Sequence, residues 1–115
     1  MLTVHGIPNC DTVKKARTWL DANGVAFTFR DFKKQPPTAG ELSAWADAAG
    51  WEALLNRRGT TFRALSETDK ADIDRAKALR LMEAHPSLIK RPVASDGAQV
   101  TVGFDPATYA EQWAR

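Results

Sequence analysis

The sequence predicts a single α/β domain, and three observations support this fold class. The length of 115 residues suits one domain, because domains commonly contain about 100–150 residues. The apolar pattern gives the order β-α-β, a helical insert, then β-β-α. No repeat, low-complexity segment or linker interrupts this order. We therefore expect the insert, at about residues 38–86, to pack within one domain spanning residues 1–115.

The first third of the chain predicts a strand, a helix and a second strand. Leu2–Gly6 alternates apolar and polar residues before a Gly-Ile-Pro-Asn break, which predicts a strand ending in a turn. Apolar residues then recur at helical spacing and predict a helix over about residues 12–23, capped by Thr12 or Asp11. Residues 25–32 predict a half-buried strand with all its aromatic residues on one face.

The middle of the chain predicts helices. Thr38 and Glu41 have the spacing of a capping box and begin a helix that Gly50 ends. Residues 51–61 predict a turn followed by a polar loop. A second apolar stripe at helical spacing predicts another helix, which stops at Pro86.

The last third returns to strands. Leu88-Ile89, Val93-Ala94 and Val100–Val102 are short strand-like pieces. Asp96-Gly97 is a strong hairpin turn signal between the last two, so we expect two antiparallel strands. Asp105-Pro106 supplies a cap followed by proline at the first helical position, which predicts a terminal helix.

Composition excludes several classes of protein. Sixteen Lys and Arg against fourteen Asp and Glu give a net charge of +2, and no basic stripe interleaves with aromatic residues, so we expect no direct nucleic-acid binding. No apolar run approaches the roughly 18 residues of a membrane span, and the start lacks the pattern of a secretory signal. We therefore expect a cytoplasmic protein without membrane contact, and we expect a monomer.

The single cysteine, Cys10, cannot form an internal disulfide. It follows a predicted strand and begins a predicted helix, where backbone N–H groups and the helix dipole stabilise a thiolate and lower its pKa. Asn9 shapes the turn, and Thr12 offers a hydroxyl near the sulfur. A buried structural thiol is the alternative, because cysteine is among the most buried residue types.

The two histidines and the lone cysteine do not form a metal ligand set, so no metal is expected. His5 lies at the end of the first strand, where it is either a general base for Cys10 or a packing histidine. His85 precedes Pro86 at a helix end, where a structural role explains it. Of the two roles for His5, we favour the packing role.

Four segments in one order carry a family resemblance: Gly6–Thr12 with Lys14–Arg17, Gly50–Thr61, His85–Pro92 and Val102–Phe104. Together they resemble the ArsC/Spx family of thioredoxin-fold proteins, and most closely its YffB-like members. The resemblance spans nearly the whole chain. It implies a four-stranded mixed sheet with an enlarged helical insert, and it implies that Pro92 is a cis-proline facing Cys10.

The resemblance also implies site roles. In the family, the arginine before this proline lies beside the cysteine, and Arg91 matches that position. A guanidinium near sulfur lowers the thiol pKa and offers a fork of donors to an oxyanion, so Cys10 and Arg91 are the expected catalytic pair. Lys14, Arg63 and Lys90 are further candidates for binding the carboxylates of glutathione. The alternative for each is a solvated surface role. The expected substrate-binding residues are Asn9, Thr12, Arg57, Arg58 and Pro92.

YffB-like members are regarded as glutathione-dependent thiol reductases, so the resemblance implies thiol–disulfide exchange at a single cysteine. No bound cofactor is implied. The substrate would be a glutathionylated or disulfide compound, and glutathione would be the co-substrate that resolves the mixed disulfide formed on the cysteine. Arsenate reduction coupled to glutaredoxin is less favoured, because Asn56 and Gly103 stand where arsenate reductases have two of three arginines. The alternative is an Spx-like regulator that binds the RNA polymerase alpha subunit without catalysis.

Overall fold

The structure is a computed structural model and describes residues 2–114. Its strands are β1 (Leu2–Gly6), β2 (Phe27–Asp31), β3 (Val93–Ser95) and β4 (Val100–Val102). The α-helices of this part of the chain are α1 (Asp11–Ala22), α2 (Ala39–Ala49), α3 (Trp51–Leu54), α4 (Thr60–Arg63), α5 (Glu67–Lys70), α6 (Arg75–Ala84) and α7 (Pro106–Gln112). A 3₁₀ turn covers Pro86–Leu88.

Contacts divide the chain into two compact units, and the first contains the sheet. This strand unit comprises residues 2–35 and 91–114 and has the strand order β2-β1-β3-β4. Strand β1 runs parallel to β2, whereas β3 runs antiparallel to both β1 and β4. The predicted mixed sheet of four strands is therefore confirmed.

One apolar cluster holds the two helices of the strand unit against its sheet. Ala16 and Leu20 of α1 and Tyr109 of α7 pack with Val4 of β1 and Ala94 of β3, and all five are fully buried. The helical stripe of α1 that the sequence predicted thus faces the sheet. Because burial of this apolar area drives folding, this cluster fixes where α1 begins relative to the strand ends.

The second unit comprises residues 36–90 and is helical. It contains α2 to α6, and α2 packs on both α3 and α6. Backbone hydrogen bonds from Asn56 N to Leu88 O (2.8 Å) and from Lys90 N to Leu54 O (2.7 Å) tie the segment after α3 to the end of the unit. The predicted helical insert at about residues 38–86 lies within this unit, and its packing into a single domain stays a prediction.

Several local predictions are wrong. Phe32 lies beyond β2, so it does not share a strand face with the other phenylalanines, and it is buried instead. Leu88 belongs to the 3₁₀ turn, while Ile89 forms only an isolated bridge with Leu55. Within the predicted turn and loop at 51–61, α3 forms and α4 begins, because single helical turns are too short to show a period.

Among residues 2–114, no helix combines the length and the apolar composition that a membrane-spanning segment needs.

Candidate functional site

Cys10 lies where β1 passes into α1, and a glycine makes this arrangement possible. A Cβ on Gly6 would lie 2.8 Å from Cγ2 of Val13, which is closer than such atoms approach. Val13 is fully buried in the first turn of α1. Glycine therefore lets the start of α1 pack directly on the end of β1, and this packing sets the position of the cysteine.

Cys10 is itself the N-cap of α1, with an extended backbone at φ −103° and ψ 123°. The predicted capping by Thr12 or Asp11 is therefore wrong, because both residues already lie inside the helix. The neutral thiol makes no capping hydrogen bond. The backbone N–H groups of Thr12 and Val13 instead stabilise the ionised sulfur, as N-terminal amides of a helix do for an anion. Thr12 thus contributes its backbone amide, and its role in substrate binding stays a prediction.

Arg91 is brought to this place by the pairing of the central strands. In the antiparallel register of β1 and β3, His5 pairs with Val93, so the residues before Val93 run past the end of β1 towards the cysteine turn. The peptide bond between Arg91 and Pro92 is cis, as the resemblance implied. The N–H of Gly103 donates to the carbonyl of Pro92 at 2.8 Å and fastens this segment to the end of β4.

The environment of Cys10 favours its thiolate. Partial burial alone would raise the pKa of the Cys10 thiol, but a hydrogen bond from the Val13 N–H, one from the Arg91 side chain and the positive charge of Arg91 lower it, together with the Thr12 N–H. The net result is a pKa below the ordinary value for a thiol. Cys10 is half-buried, so part of the residue is exposed to solvent. A reactive cysteine has this combination of features.

The guanidinium of Arg91 has an unused donor. Its Nε is buried and has no hydrogen-bond partner within residues 2–114. A buried N–H without an acceptor costs free energy, roughly 1–3 kcal/mol, unless a ligand supplies the acceptor. The side chain that contacts the sulfur can therefore also donate a hydrogen bond to an oxyanion or carbonyl oxygen of a substrate. No pattern in the sequence predicts this unused donor.

The other predicted substrate-binding residues are distributed over both units. Asn9 is exposed in the turn before Cys10. In the helical unit, Arg57 and Arg58 are exposed, and the guanidinium of Arg57 lies over the ring of Phe62 at 6.0 Å. The carbonyl of Arg58 accepts a hydrogen bond from Arg63 at 2.7 Å. A role for Asn9, Arg57 and Arg58 in substrate binding stays a prediction.

The two positions that lack arginine have structural roles. The Oδ1 atom of Asn56 accepts a hydrogen bond from the N–H of Arg58 at 3.1 Å and so shapes the turn after α3. Gly103 has φ +80°, a conformation that residues with a side chain rarely adopt. A long cationic side chain at Gly103 would therefore strain the segment that holds Pro92.

Neither histidine has the features of a catalytic base. His5 is 7% exposed, and its ring stacks on that of Phe32 with 6.2 Å between centroids and 15° between planes. This burial agrees with the packing role favoured by the sequence. His85 is exposed and forms the C-cap of α6, where it has the predicted structural role.

The comparison with protein families decides the assignment. The model of the ArsC family matches residues 5–112, which is nearly the whole chain. This chain belongs to the ArsC family. A relative from Haemophilus influenzae is 36% identical over 114 residues, which cover 99% of this chain and 100% of that protein. The global transcriptional regulator Spx of Enterococcus faecalis is 30% identical, over 91% of this chain and 80% of the regulator.

Solved structures agree with this assignment. The YFFB protein is 50% identical, with a TM-score of 0.93 over 96% of this chain and 97% of that one. An arsenate reductase (ArsC) related protein from Brucella melitensis is 47% identical, with a TM-score of 0.76 over 96% of this chain and 92% of that one. An arsenate reductase from Vibrio cholerae is 19% identical with a TM-score of 0.82, a likeness of fold alone. The predicted thioredoxin-like fold of the ArsC family is thereby confirmed.

Proposed function

We propose that this ArsC-family protein is a glutathione-dependent thiol reductase with a single catalytic cysteine. The Cys10 thiolate attacks the glutathione sulfur of a glutathionylated substrate, so that a Cys10–glutathione disulfide forms and the substrate leaves as a thiolate. A second glutathione thiolate then attacks the glutathione sulfur of that intermediate. This step releases oxidised glutathione and regenerates the Cys10 thiolate. In the net exchange, one reduced glutathione is consumed for each substrate thiol released, and the glutathione of the mixed disulfide forms the other half of the oxidised glutathione.

The observation that carries this proposal is the hydrogen bond between the Arg91 side chain and the sulfur of an N-cap cysteine. The N-cap position supplies backbone donors, and Arg91 supplies a fixed positive charge. Both favour the thiolate, which is the nucleophile in disulfide exchange. The unpartnered Nε of Arg91 would orient the substrate by binding one of its oxygen atoms.

Arsenate is a less suitable substrate than a disulfide. The positions of Asn56 and Gly103 lack the cations that would hold a multiply charged oxyanion, and each charge-assisted hydrogen bond is worth roughly 1.5–3 kcal/mol. A glutathione disulfide carries its charge on carboxylates that are spread over a larger molecule. One arginine beside the sulfur is therefore a better match to a disulfide than to arsenate.

The test is turnover of a glutathionyl–cysteine mixed disulfide in the presence of reduced glutathione. The release of oxidised glutathione is the quantity measured. Wild-type protein should catalyse the reaction, Cys10→Ser should abolish it, and Arg91→Ala should slow it. The matched control is Arg17→Ala, because Arg17 belongs to the same unit but lies over the ring of Phe29 at 4.2 Å. Equal rates for wild type and Cys10→Ser would refute the proposal.

A second candidate function is regulation by binding the RNA polymerase alpha subunit. It is supported by the 30% identity with the global transcriptional regulator Spx. This function needs no chemistry at Cys10, so the two candidates separate in one experiment. Stoichiometric binding of the alpha subunit by both wild type and Cys10→Ser, without turnover of the mixed disulfide, would favour the regulator.

A further inference from the structure

We infer that a groove along α1 binds an acidic and apolar peptide segment of the protein substrate whose disulfide Cys10 attacks. This inference rests on the proposed function and names the substrate class for it. The groove has a volume of about 480 Å³ and lies wholly within the strand unit. Its walls include Lys14, Lys15, Trp19, Ala22, Phe104 and Pro106.

The floor of the groove is apolar and firmly held. The ring of Tyr109, which is fully buried, contacts the Trp19 ring edge-on with 5.7 Å between centroids. The same tyrosine ring contacts Phe104 edge-on at 4.8 Å. Trp19 and Phe104 are themselves half-buried, so each presents part of its ring to the groove. A preformed aromatic surface of this kind binds an apolar side chain at low entropic cost.

The rim of the groove is cationic. Lys14 and Lys15 are both exposed, and neither forms an ion pair with any residue in the described range 2–114. Two cationic side chains that line a groove with an aromatic floor are complementary to a ligand with carboxylates next to an apolar side chain. An acidic peptide with an apolar side chain can interact with both the lysines and the aromatic floor, whereas a neutral or basic peptide can interact favourably only with the floor.

The groove begins shortly after Cys10 along α1. Lys14 follows Cys10 by one helical turn, and its N–H donates to the Cys10 carbonyl at 2.9 Å. At about 1.5 Å per residue, the groove lies roughly 6–18 Å along the helix axis from Cys10. On the opposite wall, Phe104 directly follows Gly103, whose N–H is bonded to the carbonyl of Pro92.

These distances set the length of the ligand. An extended chain advances about 3.3 Å per residue, so residues two to five positions from the attacked cysteine lie in the groove. Glutathione has only one residue on each side of its cysteine and does not reach the far end at Ala22. The groove therefore binds the protein side of the mixed disulfide rather than glutathione.

Equilibrium binding tests the groove without any chemistry. The probe is a short fluorescein-labelled peptide in which two glutamates and a leucine stand two, three and four positions after a serine that replaces the substrate cysteine. Wild-type protein should bind it more tightly than the same peptide with lysines for glutamates. Lys14→Glu combined with Lys15→Glu should weaken binding about tenfold, and Ala22→Trp should weaken it by filling the groove. Lys33→Glu and Ala110→Trp, which alter exposed residues of the same unit outside the groove, should leave it unchanged.

Equal affinity for the two peptides, or equal weakening by control and groove variants, overturns the inference. Turnover of the glutathionylated form of the acidic peptide separates this failure from that of the proposed function. If the small glutathionyl–cysteine disulfide is reduced but the charge reversals change neither peptide binding nor peptide turnover, the groove inference alone fails. If the peptide binds as expected but no disulfide is reduced, the thiol reductase proposal fails and the peptide site stands.

Discussion

At the scale of single residues, the site depends on two neighbours of one sulfur atom. Arg91 contributes charge and a hydrogen bond, while the amides at the start of α1 contribute donors that no substitution of a side chain removes. The arginine can therefore be tested separately from the helix. Because only the thiolate reacts with alkylating reagents, the rate of alkylation at neutral pH reports the ionised fraction of Cys10.

We predict that Arg91→Ala slows alkylation of Cys10 by iodoacetamide at neutral pH about fivefold. A half-buried interaction of this kind contributes about 1 kcal/mol, which corresponds to that factor. The rates of the two proteins should converge at high pH, where both thiols are ionised. The measurement is the pH profile of the alkylation rate, with Arg17→Ala as the control. Profiles that coincide at every pH would show that Arg91 does not act on the sulfur.

Tyr109 gives a second prediction at this scale, because it is the only tyrosine in the sequence. Burial raises the pKa of Tyr109 to about 12, with the Thr101 side chain acting in the opposite direction. Because the pKa of Tyr109 is higher in the folded state, its contribution to stability is fully present below the unfolded-state pKa of about 10. That contribution is lost as the pH rises from there towards 12. Tyrosinate absorbance should therefore appear together with loss of structure by circular dichroism. Tyr109→Phe should lose less stability across the same window.

At the scale of elements, the capping box of α2 and the turn between β3 and β4 were both predicted from the sequence. The capping box is confirmed, with Thr38 N to Glu41 Oε1 at 2.9 Å and Glu41 N to Thr38 Oγ1 at 3.1 Å. The hairpin turn is confirmed as well, since the N–H groups of Ala98 and Gln99 both donate to Asp96. These signals are local, because both partners lie within three residues of each other. Such features could be predicted from the sequence.

Features that depend on distant partners could not be predicted. Ile89 is of a residue type that favours strands, yet it pairs with Leu55 in a single isolated bridge. The stacking of Phe32 on His5 depends on the chain turning after β2. For the site, the sequence indicated Cys10 and, through the family motif, Arg91. The free Nε of Arg91 and the groove along α1 arise only when separate elements come together.

The cap of α1 provides a prediction about stability. Cysteine makes no capping hydrogen bond there, whereas serine is among the best N-cap residues, so Cys10→Ser should stabilise the protein by up to about 1 kcal/mol while abolishing activity. Thr38→Ala should have the opposite effect and cost about 1 kcal/mol, because it removes half of a capping box. Urea unfolding at a series of falling pH values measures both, because falling pH favours the neutral thiol of Cys10. A destabilised Cys10→Ser protein would contradict this account of the cap.

At the scale of the whole molecule, the number of cysteines determines how the proposed redox cycle is completed. With one cysteine in 115 residues, the intermediate can be resolved only by a thiol from another molecule. A second cysteine that resolved this intermediate would stand at the position of Val13. Val13 is the third residue of α1 and is fully buried. Proteins with an internal pair at this spacing release their substrate without an external thiol. In the proposed cycle, the requirement for an external thiol such as glutathione is therefore a consequence of one residue.

We predict that Val13→Cys converts the cycle to an internal disulfide. Residues three apart on a helix have Cβ atoms about 5–6 Å apart, close enough for a disulfide after a small adjustment. After incubation with oxidised glutathione, mass spectrometry should find one glutathione added to the wild type, but a loss of two hydrogens and no adduct in the variant. Ala22→Cys is the control, because it lies about 18 Å from Cys10 along α1 and cannot reach the sulfur. A stable glutathione adduct on Val13→Cys would show that the sulfur of Cys10 does not face the first turn of α1.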